Sequence, residues 1–298
     1  MGWIRHCRSG ALLAVAAIVV TLAPAAALAD GGLHTLWAVR GQYNTVYLFG
    51  SVHVLKADDH ALPAEVLRAY ATAGSLVMEL DLGDASAERL LTDGLAAEML
   101  PAGQTLSGAL GSAAYATLLT HLHPLGLDPA LFNQMQPWFV AVAVEQAELS
   151  RLGFDAESGV EMQFTRRART DHKPVIALET VAEQLGFFAH MSLDDQRRFL
   201  LYCLEDSADA GREMGSIVTA WQHGDTAQLG RLLGEGFGQF PELYRLLTTD
   251  RNHRWLPRIE SLLHEREDAL VIVGALHLVG TDGLVALLRA HGFEVTQQ

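Results

Sequence analysis

Val46-Tyr47-Leu48-Phe49-Gly50-Ser51-Val52-His53 and Leu270-Val271-Ile272-Val273-Gly274-Ala275-Leu276-His277 follow one design: four apolar residues, a glycine, two more residues, a histidine. A short apolar run bounded by turn residues reads as a buried strand. Gly50 and Gly274 let the chain turn sharply as it leaves the sheet. Each histidine then projects into the crevice at the carboxyl end of its strand, where open α/β sheets hold ligands. With 27 Gly and 13 His in 298 residues, the bare spacing arises about once by chance. A third copy, Gly31-Gly32-Leu33-His34, has no strand before it. The preceding strand is therefore what singles out His53 and His277. If both strands share one sheet, the two imidazoles lie within roughly 12 Å, close enough for one ion with ligand bonds of about 2 Å.

Further strands and helices surround this pair. His34 to Arg40 and Thr45 to Phe49 flank Gly41-Gln42-Tyr43-Asn44 and read as a hairpin. Leu76 to Leu80 and Val175 to Leu178 are strand-like, and Phe293 to Val295 is expected as a last edge strand. Helices are expected after Pro63, over Ala85 to Leu100, Ala113 to His123, Trp138 to Leu152 and Val160 to Arg169. Thr180 followed by Glu183 is a capping-box pattern that starts another. Ser192 to Leu204, Gly215 to Trp221, Pro241 to Leu247, Trp255 to His264 and Gly283 to His291 complete the helical set, while five glycines between 224 and 238 loosen the chain. The expected architecture is α/β, a central mixed sheet built from both ends of the chain with a largely helical insertion at about 85–170. No internal repeat and no Pro- or Ser-rich linker divides it.

Two acids belong with the histidines. Glu79 lies inside Leu76-Val77-Met78-Glu79-Leu80, where a buried carboxylate needs a cation, a metal or a donor. An edge strand with Glu79 facing water is the plainer reading, and Asp81 competes with it. Glu179 directly follows Val175 to Leu178 and serves equally as a helix-start acid. Two imidazoles with one or two carboxylates suit Zn²⁺, Mn²⁺, Co²⁺ or Fe²⁺, which activates water or polarises a carbonyl.

Composition narrows the function. Hydrophobic residues make up 50% and charged residues 19%, so the chain is globular. A formal net charge of −14 argues against a nucleic-acid partner. Residues 1–29 read as a signal peptide: Arg5 and Arg8, an apolar run from Ala11 to Leu22, then Ala27-Leu28-Ala29 before Asp30. Cleavage leaves residues 30–298 as one domain with no stable membrane anchor, in the periplasm or secreted. It removes Cys7, so no disulfide within the chain is expected to hold the mature fold.

The arrangement resembles the TraB/GumN family, related to the Tiki metalloproteases and more distantly to erythromycin esterase-like and ChaN-like proteins. Tyr47 to His53, Met78-Glu79-Leu80, Pro174 to Thr180 with Gln184, Asp250-Arg251-Asn252 with Trp255, and Val273 to His277 carry the likeness. The resemblance implies an α/β fold and a divalent-metal-dependent hydrolase, a peptidase in the Tiki branch. His53, His277 and Glu79 are then expected to hold the metal (Mn, Co or Zn), with Glu79 alternatively the base. Arg251 is expected to stabilise an oxyanion or hold a substrate carboxylate, with a surface ion pair as its plainer role. Glu179 and Asn252 are expected as supporting residues. A peptide or protein is the expected substrate. The opposing expectations are a non-catalytic peptide-binding or regulatory protein of the same fold, or a haem- or iron-binding protein. Gly234-Glu235-Gly236-Phe237-Gly238 has no strand before it and is set aside as a phosphate loop. No His-Glu-x-x-His and no Gly-x-Ser-x-Gly occur.

Overall fold

The computed structural model describes residues 32–59, 61–81, 98–206, 210–235 and 237–298. The expected signal peptide and most of the expected helix over 85–100 lie outside them. The first hairpin forms as β1 (Leu36–Arg40) and β2 (Thr45–Ser51), antiparallel, with Leu36 opposite Phe49. After the short β3 (Leu55–Lys56), α1 (Ala64–Thr72) leads to β4 (Ser75–Met78). Next come α2 (Leu106–Leu122), α3 (Pro137–Arg151), β5 (Phe154–Asp155), α4 (Val160–Asp171) and β6 (Val175–Ala177).

α5 (Val181–Ala189) starts on the expected capping box: Thr180 accepts from the Glu183 N–H at 3.2 Å, and the Glu183 carboxylate accepts from the Thr180 N–H at 2.7 Å. Then follow α6 (Leu193–Asp206), α7 (Ala210–Gln222) and α8 (Thr226–Glu235). The glycines at 230 and 234 were expected to loosen this last stretch. They sit inside a helix instead, because packing against the Ala275–His277 turn outweighs their low helix propensity. α9 (Pro241–Tyr244) runs through a π-helical turn at Arg245–Thr249 into α10 (Asp250–Leu262). The chain closes with β7 (Ala269–Gly274), α11 (Leu284–Ala290) and β8 (Val295–Gln297).

Six strands form one mixed sheet in the order β6-β4-β7-β2-β1-β8, while β3 pairs with β5 apart from it. β2, β7, β4 and β6 are parallel to one another, with Ser51 opposite Gly274 and Met78 opposite both Ile272 and Ala177. Every residue of β7 is buried, as a strand covered on both faces requires. The sheet's core takes Phe49, Met78, Trp255 and Ile272, and also Val160, Phe164 and Ala168 of α4. A second apolar cluster joins Leu110, Leu118, Val140 and Val144 to Leu200 and Leu204 of α6. The described part of the expected insertion is largely helical, and its helices divide between the two clusters. α4 faces the sheet and α6 joins α2 and α3, because apolar stripes bury against whichever layer lies opposite. No helix among the described residues is long and apolar enough to cross a membrane.

Candidate active site

Four parallel strands end at one edge, and each is followed within three residues by a chemically active side chain: His53, Glu79, Glu179 and His277. Glu79 is one residue past β4 rather than inside a strand, and it is buried. Its Oε1 accepts from the Gly274 N–H at 2.7 Å and stands 3.8 Å from His277 Nε2. Its Oε2 accepts from Gln184 at 3.2 Å and from Arg251. A Cβ placed on Gly274 would stand 3.3 Å from His53 Nε2 and 3.4 Å from Glu79 Oε1. These distances bring both imidazoles to one carboxylate and set them inside about 12 Å of each other.

Gly50 and Gly274 stand at the carboxyl ends of β2 and β7, and a 3₁₀ turn follows Gly274 directly. Neither Gly50 nor Gly274 has a positive φ. What each supplies is room. A side chain on Gly50 would crowd Ala275 at 3.1 Å, and one on Gly274 would intrude between His53 and Glu79.

The histidines are oriented by their outer nitrogens. The Asn252 amide donates its Nδ2 to the Asp282 carbonyl at 2.8 Å, which leaves Oδ1 facing His277 Nδ1 at 2.8 Å. His277 Nδ1 must therefore be the donor, and Nε2 carries the lone pair. Burial holds His277 neutral, lowering its pKa to about 3. The ring packs on Trp255 with centroids 4.5 Å apart. His53 Nδ1 meets the Glu161 carboxylate at 2.8 Å, and Ser51 donates to the same Glu161 oxygen. Glu161 raises the His53 pKa to about 9, although 66% of the His53 side chain is open to solvent. Sequence reasoning missed Glu161. Its only signal was an acid at the start of a predicted helix, a position that dipole stabilisation alone explains.

Arg251 sits at the centre, not on a helix surface. Nε donates to Glu179 at 3.2 Å, Nη1 to the Leu247 carbonyl and to His277 Nε2 at 3.1 Å each, and Nη2 to Glu79 and Glu179. All five N–H groups are thus engaged inside the protein. Trp255 lies beneath the guanidinium at 4.6 Å. Gln184 also donates to Glu179, at 3.1 Å. Burial pushes the Glu79 carboxyl up, but His277, Arg251, His53 and the Gly274 N–H bring it down to about 2. Arg251 is the permanent charge among them, since His277 stays neutral. Burial raises Glu179, and Arg251 offsets that only in part. Neighbouring titratable groups are therefore driven apart, Glu79 down and Glu179 up, His277 down and His53 up, a hallmark of acid–base sites.

The TraB/PrgY/gumN family model matches residues 35–297, which include every one of these side chains. The uncharacterized protein YbaP of Escherichia coli (strain K12) is 27% identical over 270 residues, covering 86% of this chain and 97% of its own. YbaP of Shigella flexneri matches to the same extent. An uncharacterized protein of Treponema pallidum (strain Nichols) is 22% identical over 270 residues, covering 85% of this chain and 79% of its own. No solved structure gives a significant match. On the family match across nearly the whole described chain, this protein belongs to the TraB/PrgY/gumN family.

Proposed function

We propose that this chain is an exported, divalent-metal-dependent hydrolase of peptide bonds, with His53, His277 and Glu79 as the metal-binding set. One observation carries the proposal. Both imidazoles fix Nδ1 on a protein acceptor and turn Nε2 toward the same carboxylate. Ligating histidines are typically held in this way by an outer carboxylate or amide. Two nitrogens and a carboxylate oxygen suit Mn²⁺, Co²⁺ or Zn²⁺. Among the described residues no three His, Cys, Asp or Glu side chains already stand at ligand spacing. Arg251 also shares the His277 lone pair, so an ion has to compete with that hydrogen bond. When bound, such an ion supplies Lewis acidity toward a carbonyl or a water.

The chain's own residues do the rest. Glu79, charged at all ordinary pH, is a weak base and serves as ligand. Glu179, whose proton affinity burial increases, is the better proton acceptor of the two. Arg251 holds both glutamates and His277 in place and is a positioning residue. The expected export rests on the amino-terminal pattern, and a mature chain beginning at Asp30 is the expected product.

The cation already among the acids favours a second reading, the same site working without an ion. His53, exposed and paired to Glu161, then moves the proton in the manner of a His–carboxylate dyad. Metal content and hydrolysis of a peptide library, measured together on wild type, His53→Ala and His277→Ala, test the proposal. Stoichiometric metal and turnover lost together in both variants support it. Turnover that survives metal stripping transfers the assignment to the second reading. Neither metal nor turnover in the wild type leaves a peptide-binding protein, and a Soret band on haem titration marks a haem protein.

A further inference from the structure

α8 and α9 border an open pocket of about 270 Å³ with the turn that carries His277. Gly230 and Gly234 form one wall, Phe237 and Tyr244 a second, Leu276 and Val279 the third. Leu276 is the residue immediately before His277, so the pocket and the candidate ligand share one turn. The Phe237 and Tyr244 rings meet edge-on at 5.8 Å, a rigid aromatic side. The opposite side exists because the α8 residues have no side chains. A Cβ on Gly234 would meet nothing within 4 Å, and one on Gly230 nothing nearer than 3.9 Å. Glycine costs a helix about 1 kcal/mol relative to alanine, so two within α8 leave open volume at the expense of local stability.

We propose that this cavity is a substrate subsite that accepts one large apolar side chain, phenylalanine or leucine, of a peptide whose backbone lies across the His53–Glu79–His277 edge. The proposal rests on the peptidase reading. A volume of this size is below that of whole drug-like ligand sites, which begin near 300 Å³, and holds a single side chain with room to spare. Among the described residues its lining carries no charged side chain, so a charged substrate residue there would lose its hydration without a partner. Its place on the turn that carries His277, together with its lining, makes it a selector for one side chain of the bound peptide.

Gly234→Leu tests this by filling the cavity from a helical position with free space. Blocked peptides that differ only in one residue, Phe, Leu, Ala or Asp, are titrated by calorimetry and assayed for cleavage. Wild type is expected to prefer Phe and Leu over Ala by about ten- to hundredfold in affinity and in kcat/KM. Gly234→Leu is expected to abolish that preference while Ala peptides behave as with wild type. Phe237→Ala, which removes one wall, is expected to weaken the preference and serves if the first variant folds poorly. Selective binding without cleavage keeps the subsite and refutes only the peptidase reading. Cleavage with equal preference for Phe and Ala, unchanged in both variants, overturns the subsite and leaves the peptidase reading standing.

Discussion

Replacing Arg251 with methionine keeps an apolar stem of similar length and removes the one cation that separates Glu79 from Glu179. In the native protein all three side chains are buried, and Nη2 of Arg251 touches both carboxylates. Burial by itself raises Glu79, yet its surroundings hold it near 2 against an ordinary 4.5. A buried carboxyl lowered that far contributes about 3 kcal/mol to folding at neutral pH. The contribution is complete above the unfolded value of 4.5 and is lost as pH falls toward 2. Removing one partner of a buried pair costs about 3–5 kcal/mol, because the remaining charge is left without compensation. Here two acids are left facing each other, so in Arg251→Met Glu79 rises from about 2 and Glu179, already raised by burial, rises further until at least one takes up a proton. The pH dependence therefore changes sign. Through Glu79 the wild type loses stability from about pH 5 downward, whereas the variant recovers part of its deficit as pH falls from 8 to 5. Urea unfolding followed by tryptophan fluorescence at pH 8 and pH 5 reads both numbers. A deficit under about 1 kcal/mol at pH 8, or one equal at both pH values, would refute the reasoning.

Asn252→Ala frees the His277 ring to take the other tautomer and is expected to lower metal affinity and turnover about 10- to 100-fold, with the circular-dichroism spectrum retained. Glu161→Gln removes the carboxylate that raises His53. NMR titration should then find its pKa moved from about 9 back toward 6.5, and the stabilisation that is present below 6.5 and fades through 9 should vanish from the pH–stability profile. Gly274→Ala sets a methyl 3.3 Å from His53 Nε2 and 3.4 Å from Glu79 Oε1. Turnover is expected to fall at least about tenfold while thermal unfolding registers a loss of only about 1–3 kcal/mol.

The sheet was legible because its signals are local. Apolar runs of four residues mark β2 and β7, a Thr–Glu pair three residues apart marks the start of α5, and a glycine with a histidine three residues on marks each of two strand ends. Any chain with those runs buries them, and parallel strands then place their following residues at one edge. Glu79 was legible as a costly acid beside an apolar run, though one residue past its strand rather than within it. The α8 helix was not legible, since its glycines count against a helix locally and only packing on the His277 turn favours it.

What tertiary structure alone decided is which side chain meets which. Glu161 reaches His53 across 108 residues, Arg251 reaches Glu79 across 172, and no spacing in the sequence encodes either meeting. The sequence by itself determined the strands, the two histidines and the acids available to them, because those follow from periodicity and from the cost of burying charge. Tertiary structure decided that Arg251 is a clamp with no free N–H, that Gly50 and Gly274 supply room, and that a pocket borders the turn that carries His277. Hydrogen-bond partners and empty volume depend on distances of a few ångströms between elements far apart in the chain, and those exist only once the layers have packed.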